Sequence, residues 1–148
     1  MLSQALAIAP NSTKANAFKG LALIGSGQQE KGREFIQKAI RLDPRDPRTL
    51  QQFNNVACSY YYERDYINAM VAARFATARY ENNTRGYVWL AAALGQLGHI
   101  EDAREALHRA ATISPPKSLD MLRIRAPWAR PQDYEHMLEG LRKAGWSG

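Results

Sequence analysis

Three histidines, one cysteine and a run of three tyrosines are the side chains of this 148-residue chain best suited to chemistry or specific recognition. Catalysis needs such groups to converge, as when a nucleophile sits beside an oriented base. Their surroundings argue against convergence. His99 follows Gly98, where a solvated turn residue is expected, and His108 shares a helix face with Glu101, Arg104 and Glu105. His136 precedes the apolar pair Met137 and Leu138 on a helix that also carries charge. No His-Glu-x-x-His, paired cysteine or Asp-rich loop occurs, so no metal site is expected. Gly25, Ser26 and Gly27 lack the Gly-Lys-Ser/Thr that continues a phosphate loop, and they read as a turn between two helices. Cys58, between Ala57 and Ser59, reads as a small packing residue of a helix. No cofactor and no catalytic constellation are expected, so the chain does not read as an enzyme.

The elements that must position these groups form a repeat. Ala39, Ala76 and Ala110 are separated by 37 and 34 residues, and the same two spacings relate Gly32, Ala69 and Ala103, as well as Gly20, Ala57 and Ala91. Leu23, Tyr60 and Leu94 follow the last set by three residues each. Pro44 and Pro115 close the first and third units, while Glu81 stands where the second would have its proline. Three units result, 13–46, 50–83 and 84–117, with Pro47, Arg48 and Thr49 inserted after the first. In the third, Tyr87, Leu90, Ala91 and Leu94 form an i, i+3, i+4, i+7 stripe, which Gly98 breaks and Ala103, Ala106, Leu107 and Ala110 resume. Each unit reads as two antiparallel helices whose small residues mark a close crossing. Asp46 followed by Pro47 predicts an N-cap with proline in the first turn, and Asn83 with Thr84 offers similar capping. Strand-type alternation is absent, so the fold class is all-α.

Composition sets outer bounds. Hydrophobic residues make up 45% and charged residues 23%, which excludes global disorder. The 20 Lys plus Arg exceed the 14 Asp plus Glu by a net +6, spread along the chain with no basic arm, so no nucleic acid is expected as partner. A single cysteine excludes an internal disulfide framework and fits a reducing, cytoplasmic setting. No apolar run is long enough to span a bilayer, and no signal peptide opens the sequence.

Both ends carry further patterns. Ala5 lies 34 residues before Ala39 and Pro10 lies 34 before Pro44, so residues 1–12 read as the second helix of a preceding, truncated repeat, with a native capping helix as the alternative. The first reading makes this a C-terminal piece of a longer protein. It also leaves an apolar edge of Leu2, Leu6 and Ile8 for weak self-association. Residues 118–148 read as capping helices. One runs from Ser118 to about Arg125 and a second from Pro131 to about Ala144. The apolar face of the second (Tyr134, Met137, Leu138, Leu141) is expected to cover the last repeat.

The pattern over 13–117 resembles the tetratricopeptide repeat (TPR), with departures at Lys19, where leucine is usual, and at the missing second proline. The resemblance implies a right-handed superhelix of antiparallel helix pairs and a concave groove lined by the first helix of each unit. That lining would include Lys14, Ala17, Leu21 and Ile24, then Gln51, Asn54, Asn55, Cys58, Tyr61 and Tyr62, then Arg85, Val88, Trp89, Ala92 and Gln96. Because one helix cannot bury Tyr60, Tyr61 and Tyr62 in one direction and Tyr60 takes the packing place, Tyr61 or Tyr62 should face the groove or solvent. Asn54, Asn55, Cys58, Tyr61, Tyr62, Arg85, Trp89 and Gln96 are therefore the candidate peptide-binding residues, the alternative being that the tyrosines pack on the neighbouring repeat. Of the family's carboxylate-clamp places, here Ala17, Leu21, Asn55, Arg85 and Trp89, only Asn55 and Arg85 have suitable chemistry, so chaperone-tail binding is not expected. The stretch from Arg125 through Pro127, Trp128 and Arg130 to Leu138, Gly140, Lys143 and Trp146 resembles the end of bacterial class III adenylate/guanylate cyclases. That implies a non-catalytic interaction region of a multidomain signalling protein, its partner a peptide, a protein domain or an attached catalytic domain. The TPR tail of a transcriptional regulator and a free-standing adaptor are the alternatives.

Overall fold

A computed structural model of the chain describes residues 9–113, 119–127 and 129–148. The expected half-repeat at 1–12, with its edge of Leu2, Leu6 and Ile8, lies mostly outside these residues, as do Pro115 and Trp128. Seven α-helices are described: α1 (Thr13–Gly25), α2 (Gln29–Leu42), α3 (Thr49–Tyr62), α4 (Tyr66–Arg79), α5 (Thr84–Gln96), α6 (Ile100–Ile113) and α7 (Pro131–Lys143). A 3-10 turn spans Asp120–Arg123, and no strand occurs among the described residues. The first six helices form three antiparallel pairs, joined by packing of α2 on α3 and of α4 on α5.

The repeated small residues lie where each pair crosses. A Cβ added to Gly20 or to Gly32 would sit 2.8 Å from the carbonyl oxygen of the other. Ala57, Ala69, Ala91 and Ala103 at the equivalent places are 0% exposed. Larger side chains would push the backbones apart and strip the contacts that fill the core.

Each pair turns in one way. Gly27, Arg64 and Gly98 adopt φ of 93°, 64° and 79°. The next residue then donates its N–H to a carbonyl five back: Gln28 to Leu23, Asp65 to Tyr60, His99 to Leu94. Gly145, at φ 103°, closes α7 likewise, with Trp146 donating to Leu141. This is the Schellman arrangement, which satisfies the last carbonyls of a helix and requires a left-handed residue. Arg64 is the one non-glycine in that conformation among the described residues.

Between units, side chains take over. Asn83 caps α5, its Oδ1 accepting from Gly86 N at 2.9 Å, and exchanges two amide hydrogen bonds of 2.9 and 2.8 Å with Asn54 of α3. Arg33 of α2 reaches Glu63 at 3.0 Å and lies 4.0 Å from the centre of the Tyr60 ring. Asp46 does not cap α3 as expected. That helix starts later, at Thr49, and the Asp46 carboxylate instead accepts from Arg48 N at 2.8 Å and grips the Arg48 guanidinium at 2.7 Å. The three inserted residues are thereby folded into a tight connection between the first two units.

The C-terminal segment departs from expectation in two respects. The helix expected from Ser118 to Arg125 is only the four-residue 3-10 turn, because the Leu122 carbonyl is taken by the Tyr134 hydroxyl at 2.7 Å and Ile124 finds no cover at 78% exposure. The second helix falls where expected and covers the last repeat, but it does so through α5, and it also touches α3, rather than through α6. Leu119 and Trp146 line a shallow cleft together with Leu107 and Ala111 of α6.

The shared turn makes a paired prediction. Arg64→Gly should stabilise the chain by about 0.5–1 kcal/mol by relieving the left-handed backbone. Gly98→Ala, although no atom lies within 4 Å of the added Cβ, should cost about 1 kcal/mol for the opposite reason. Thermal melts followed by circular dichroism check both; a destabilised Arg64→Gly would contradict the assignment of strain.

Candidate functional site

The first helices α1, α3 and α5 touch in series and form one continuous surface, and α7 lies across its α3 and α5 portions. Glycine permits this seat. A Cβ on Gly95 of α5 would collide with the Gly140 carbonyl oxygen, and a Cβ on Gly140 would lie 2.8 Å from the Ala92 carbonyl oxygen and collide with the Tyr61 hydroxyl. Leu141 and Ala144, both 0% exposed, fill the contact. Polar groups then lock the register. The Tyr61 hydroxyl donates to the His136 carbonyl at 2.6 Å and accepts from Gln96 Nε2 at 3.2 Å, while Gln96 Oε1 accepts from Lys143 Nζ at 2.8 Å. At the other end Arg130 pairs with Asp133 at 2.8 Å and reaches Gly27 at the first turn.

This seat accounts for most of the eight candidate residues. Tyr61, Cys58, Trp89 and Asn54 are 0, 1, 2 and 2% exposed. The Tyr61 and Trp89 rings meet at 5.5 Å with their planes tilted by 52°, and the Tyr62 ring meets Trp89 edge-on at 5.7 Å. Gln96 is engaged at both ends of its amide by Tyr61 and Lys143. Asn54 is committed to Asn83, so its role on this surface is to hold α5 in place. Burial pushes the Cys58 thiol up to about 12, well away from a reactive thiolate. Only Asn55 and Arg85 of the eight line an open part of the surface.

That open part is a groove of about 320 Å³ over α1 and the start of α3 and α5. Phe18 stands in it 50% exposed, with Lys14 5.8 Å from its ring centre. Gln51, Gln52 and Asn55 supply amides and Arg85 a guanidinium. Asp46, the carboxylate of the lining, is held down to about 2 by its hydrogen bonds from the Arg48 side chain and backbone, so it is spoken for. The groove therefore offers one aromatic ring, three amides and cations at Lys14 and Arg85. Phe18 and Gln52 were not among the candidate residues. Among the described residues no helix lies over α1 as α7 lies over α3 and α5, and no residue spacing carries that information. Gly140 did carry a signal, since glycine inside an amphipathic helix marks a close backbone approach.

His136 is the titratable group most involved in seating α7. It is 8% exposed, its Nε2 lies 2.8 Å from the Tyr66 hydroxyl, its Nδ1 faces Glu139 at 3.6 Å, and its ring meets that of Tyr61 at 4.8 Å with a 35° tilt. A neutral ring accepting from Tyr66 and directing Nδ1–H to Glu139 fits this arrangement. Burial lowers the imidazole pKa, the Arg64 charge lowers it further, and Glu139 opposes them. The folded value thus lies below the unfolded one. Stability present above about pH 6.5 is lost as pH falls through the folded value, because the unfolded chain then binds the extra proton. The melting temperature should fall on going from about pH 7 to pH 5, and His136→Gln should flatten that slope. Melts of both proteins across this range, with equal slopes as the contrary result, provide the check.

Among the described residues no group of histidine, cysteine, aspartate and glutamate could hold a metal ion, and no helix is long and apolar enough to cross a membrane. A comparison with curated proteins gives no match. Residues 13–46 and 84–117, the first and third units, match the family model described as "Tetratricopeptide repeat". Among solved structures the chain is similar to one titled "Crystal structure of MamA", at 15% sequence identity and a TM-score of 0.67, over 97% of this chain and 82% of that one. At that identity the likeness is one of fold. Residues 13–46 and 84–117 thus match tetratricopeptide repeats, and the chain shares its all-helical fold with MamA.

Proposed function

We propose that this chain is a non-catalytic protein-docking module whose site is the uncovered groove over α1 and the start of α3 and α5. The observation that carries the reading is the contrast along one surface: α7 fills it over α3 and α5, yet leaves Phe18 half exposed beside Lys14, Asn55 and Arg85. A ring to anchor an apolar side chain, amides to pair with a backbone and cations for carboxylates suit an extended acidic peptide. Tyr61, Tyr62, Trp89, Cys58, Asn54 and Gln96 then serve the module by seating α7 and α5 rather than by touching the peptide. In the finer reading the module is the C-terminal interaction region of a cytoplasmic, bacterial nucleotide cyclase. Its support is the resemblance of the segment from Arg125 to Trp146, and the peptide would then come from a partner or from the attached catalytic domain.

An array of twelve-residue peptides of varied charge, read by fluorescence anisotropy against the purified chain, tests the docking reading. Acidic peptides carrying one large apolar residue should bind, and Phe18→Glu or Arg85→Glu should weaken them by about tenfold or more. Arg104→Glu, on α6, should leave them unchanged. Peptides that bind equally well to both groove variants would show that the site lies elsewhere.

A further inference from the structure

The outer surface of the second helices contains an internal control. By the repeat spacings of 37 and 34, residues 67, 71 and 75 of α4 correspond to 30, 34 and 38 of α2 and to 101, 105 and 109 of α6. The first repeat reads Glu30, Glu34 and Lys38, and the third reads Glu101, Glu105 and Arg109. The middle one reads Ile67, Val71 and Phe75, which are 57, 55 and 53% exposed. Two neighbours adopt the same fold with charges at these places, so folding does not demand apolar residues there. Exposed apolar area confined to one repeat points outward, to a partner.

The three side chains succeed one another at i, i+4 and i+8, a stripe about 12 Å long on one helix face. Val71 and Phe75, with Asn68 and Ala72, form one wall of a groove of about 450 Å³, and Ile67 continues the stripe beyond it; the other wall is α2, with Ile40 and Arg41, and the floor is α3, with Phe53, Val56 and Tyr60. The Phe53 and Phe75 rings meet at 5.1 Å. The equivalent groove between α4 and α6 has a similar floor of Tyr87, Leu90 and Leu94, but its walls carry Arg74, Asp102, Glu105 and Arg109, and there Arg74 and Asp102 face each other at 3.9 Å. No carboxylate lines the apolar groove. Arg41 stands on its wall, and the Arg79 guanidinium lies 5.9 Å from the centre of the Phe53 ring.

We propose that this groove docks an amphipathic helix of a partner protein, with the apolar face against Ile67, Val71 and Phe75 and acidic residues set against Arg41 and Arg79. Two helical walls and a helical floor offer the ridges and grooves into which a further helix packs. A bilayer surface could not reach Phe53 and Val56 at the floor. A second copy is a poor occupant, because α4 carries Arg74 and Arg79 and no carboxylate, so paired stripes would bring cations to cations.

The test uses the full chain and a fluorescein-labelled helical peptide with leucines at i, i+4 and i+8 flanked by glutamates, beside its lysine-flanked counterpart. The acidic peptide should bind saturably. The double variant Val71→Glu with Phe75→Arg, which carries the third repeat's own residues, should bind it about tenfold or more weakly while keeping its helical circular dichroism. Ile67→Glu alone, at the exposed end of the stripe, should weaken it in the same direction. Phe18→Glu should leave this binding unchanged, which separates the groove from the docking site over α1. Absence of saturable binding at about 1 mM, equal binding of the lysine-flanked peptide, or loss through Phe18→Glu alone would each overturn the proposal. So would a dimer in sedimentation, or uptake on phosphatidylglycerol vesicles, that the double variant abolishes.

Discussion

Close approach of helix backbones at residues with little or no side chain is the constraint on which this molecule depends. Gly20 against Gly32, Ala57 with Ala69, and Ala91 with Ala103 bring each pair together, and Gly95 against Gly140 brings α7 onto α5. Dispersion contacts are individually tiny and fall off steeply with distance. Moving two helices apart by the width of one methyl would therefore weaken the whole interface, not one contact. Larger apolar residues such as Ile24, Ile36, Leu94 and Leu141 fill the space on either side of these crossings and are fully enclosed or nearly so. The small residues set the spacing, and the larger ones make use of it.

Because the pairs are alike, the distinctions between repeats carry the specific information. The first repeat has Phe18 half exposed on an inner surface that no helix covers among the described residues. The middle repeat supplies Tyr61 and Tyr66, which hold α7, and on its outer side the apolar stripe of α4. The third supplies Trp89, Ala92, Gly95 and Gln96 as the bed on which α7 rests. One architecture thus presents an occupied inner surface, an open one and an apolar outer groove within a short chain. The occupied part is held around a buried imidazole whose pKa burial lowers, so its seating depends on pH.

Much of this was legible in the residue order, for a definite reason. Helix pairs, their turns and their crossings are local, so Gly27, Gly98, Asn83 and the alanines at 37 and 34 residue spacings announce them directly. The N-cap assigned to Asp46 missed because an aspartate can also close a turn with a nearby arginine, and Arg48 two residues on supplied one. The helix expected from Ser118 to Arg125 missed because Leu122 is buried while Met121 and Ile124 stay exposed, so little tertiary contact offsets the entropy of ordering a short helix.

Sequence alone determined the all-helical class, the antiparallel helix pairs, the span of α7 and its apolar face, because each rests on a period or a terminal signal within one element. Where that face would dock was a different matter. Leu138 and Leu141 fit a cap on the last helix and a plug over the inner surface equally well as far as hydrophobicity goes. Only the assembled structure shows Gly140 meeting Gly95 and Ala92, with Tyr61 reaching the His136 carbonyl from a residue 75 positions away. That contact decided the fate of the candidate residues, since it covers Tyr61 and Trp89 and leaves Asn55 and Arg85 in the open. Backbone proximity between distant helices leaves no trace in local periodicity, so the choice between a lined groove and a filled one belonged to tertiary packing.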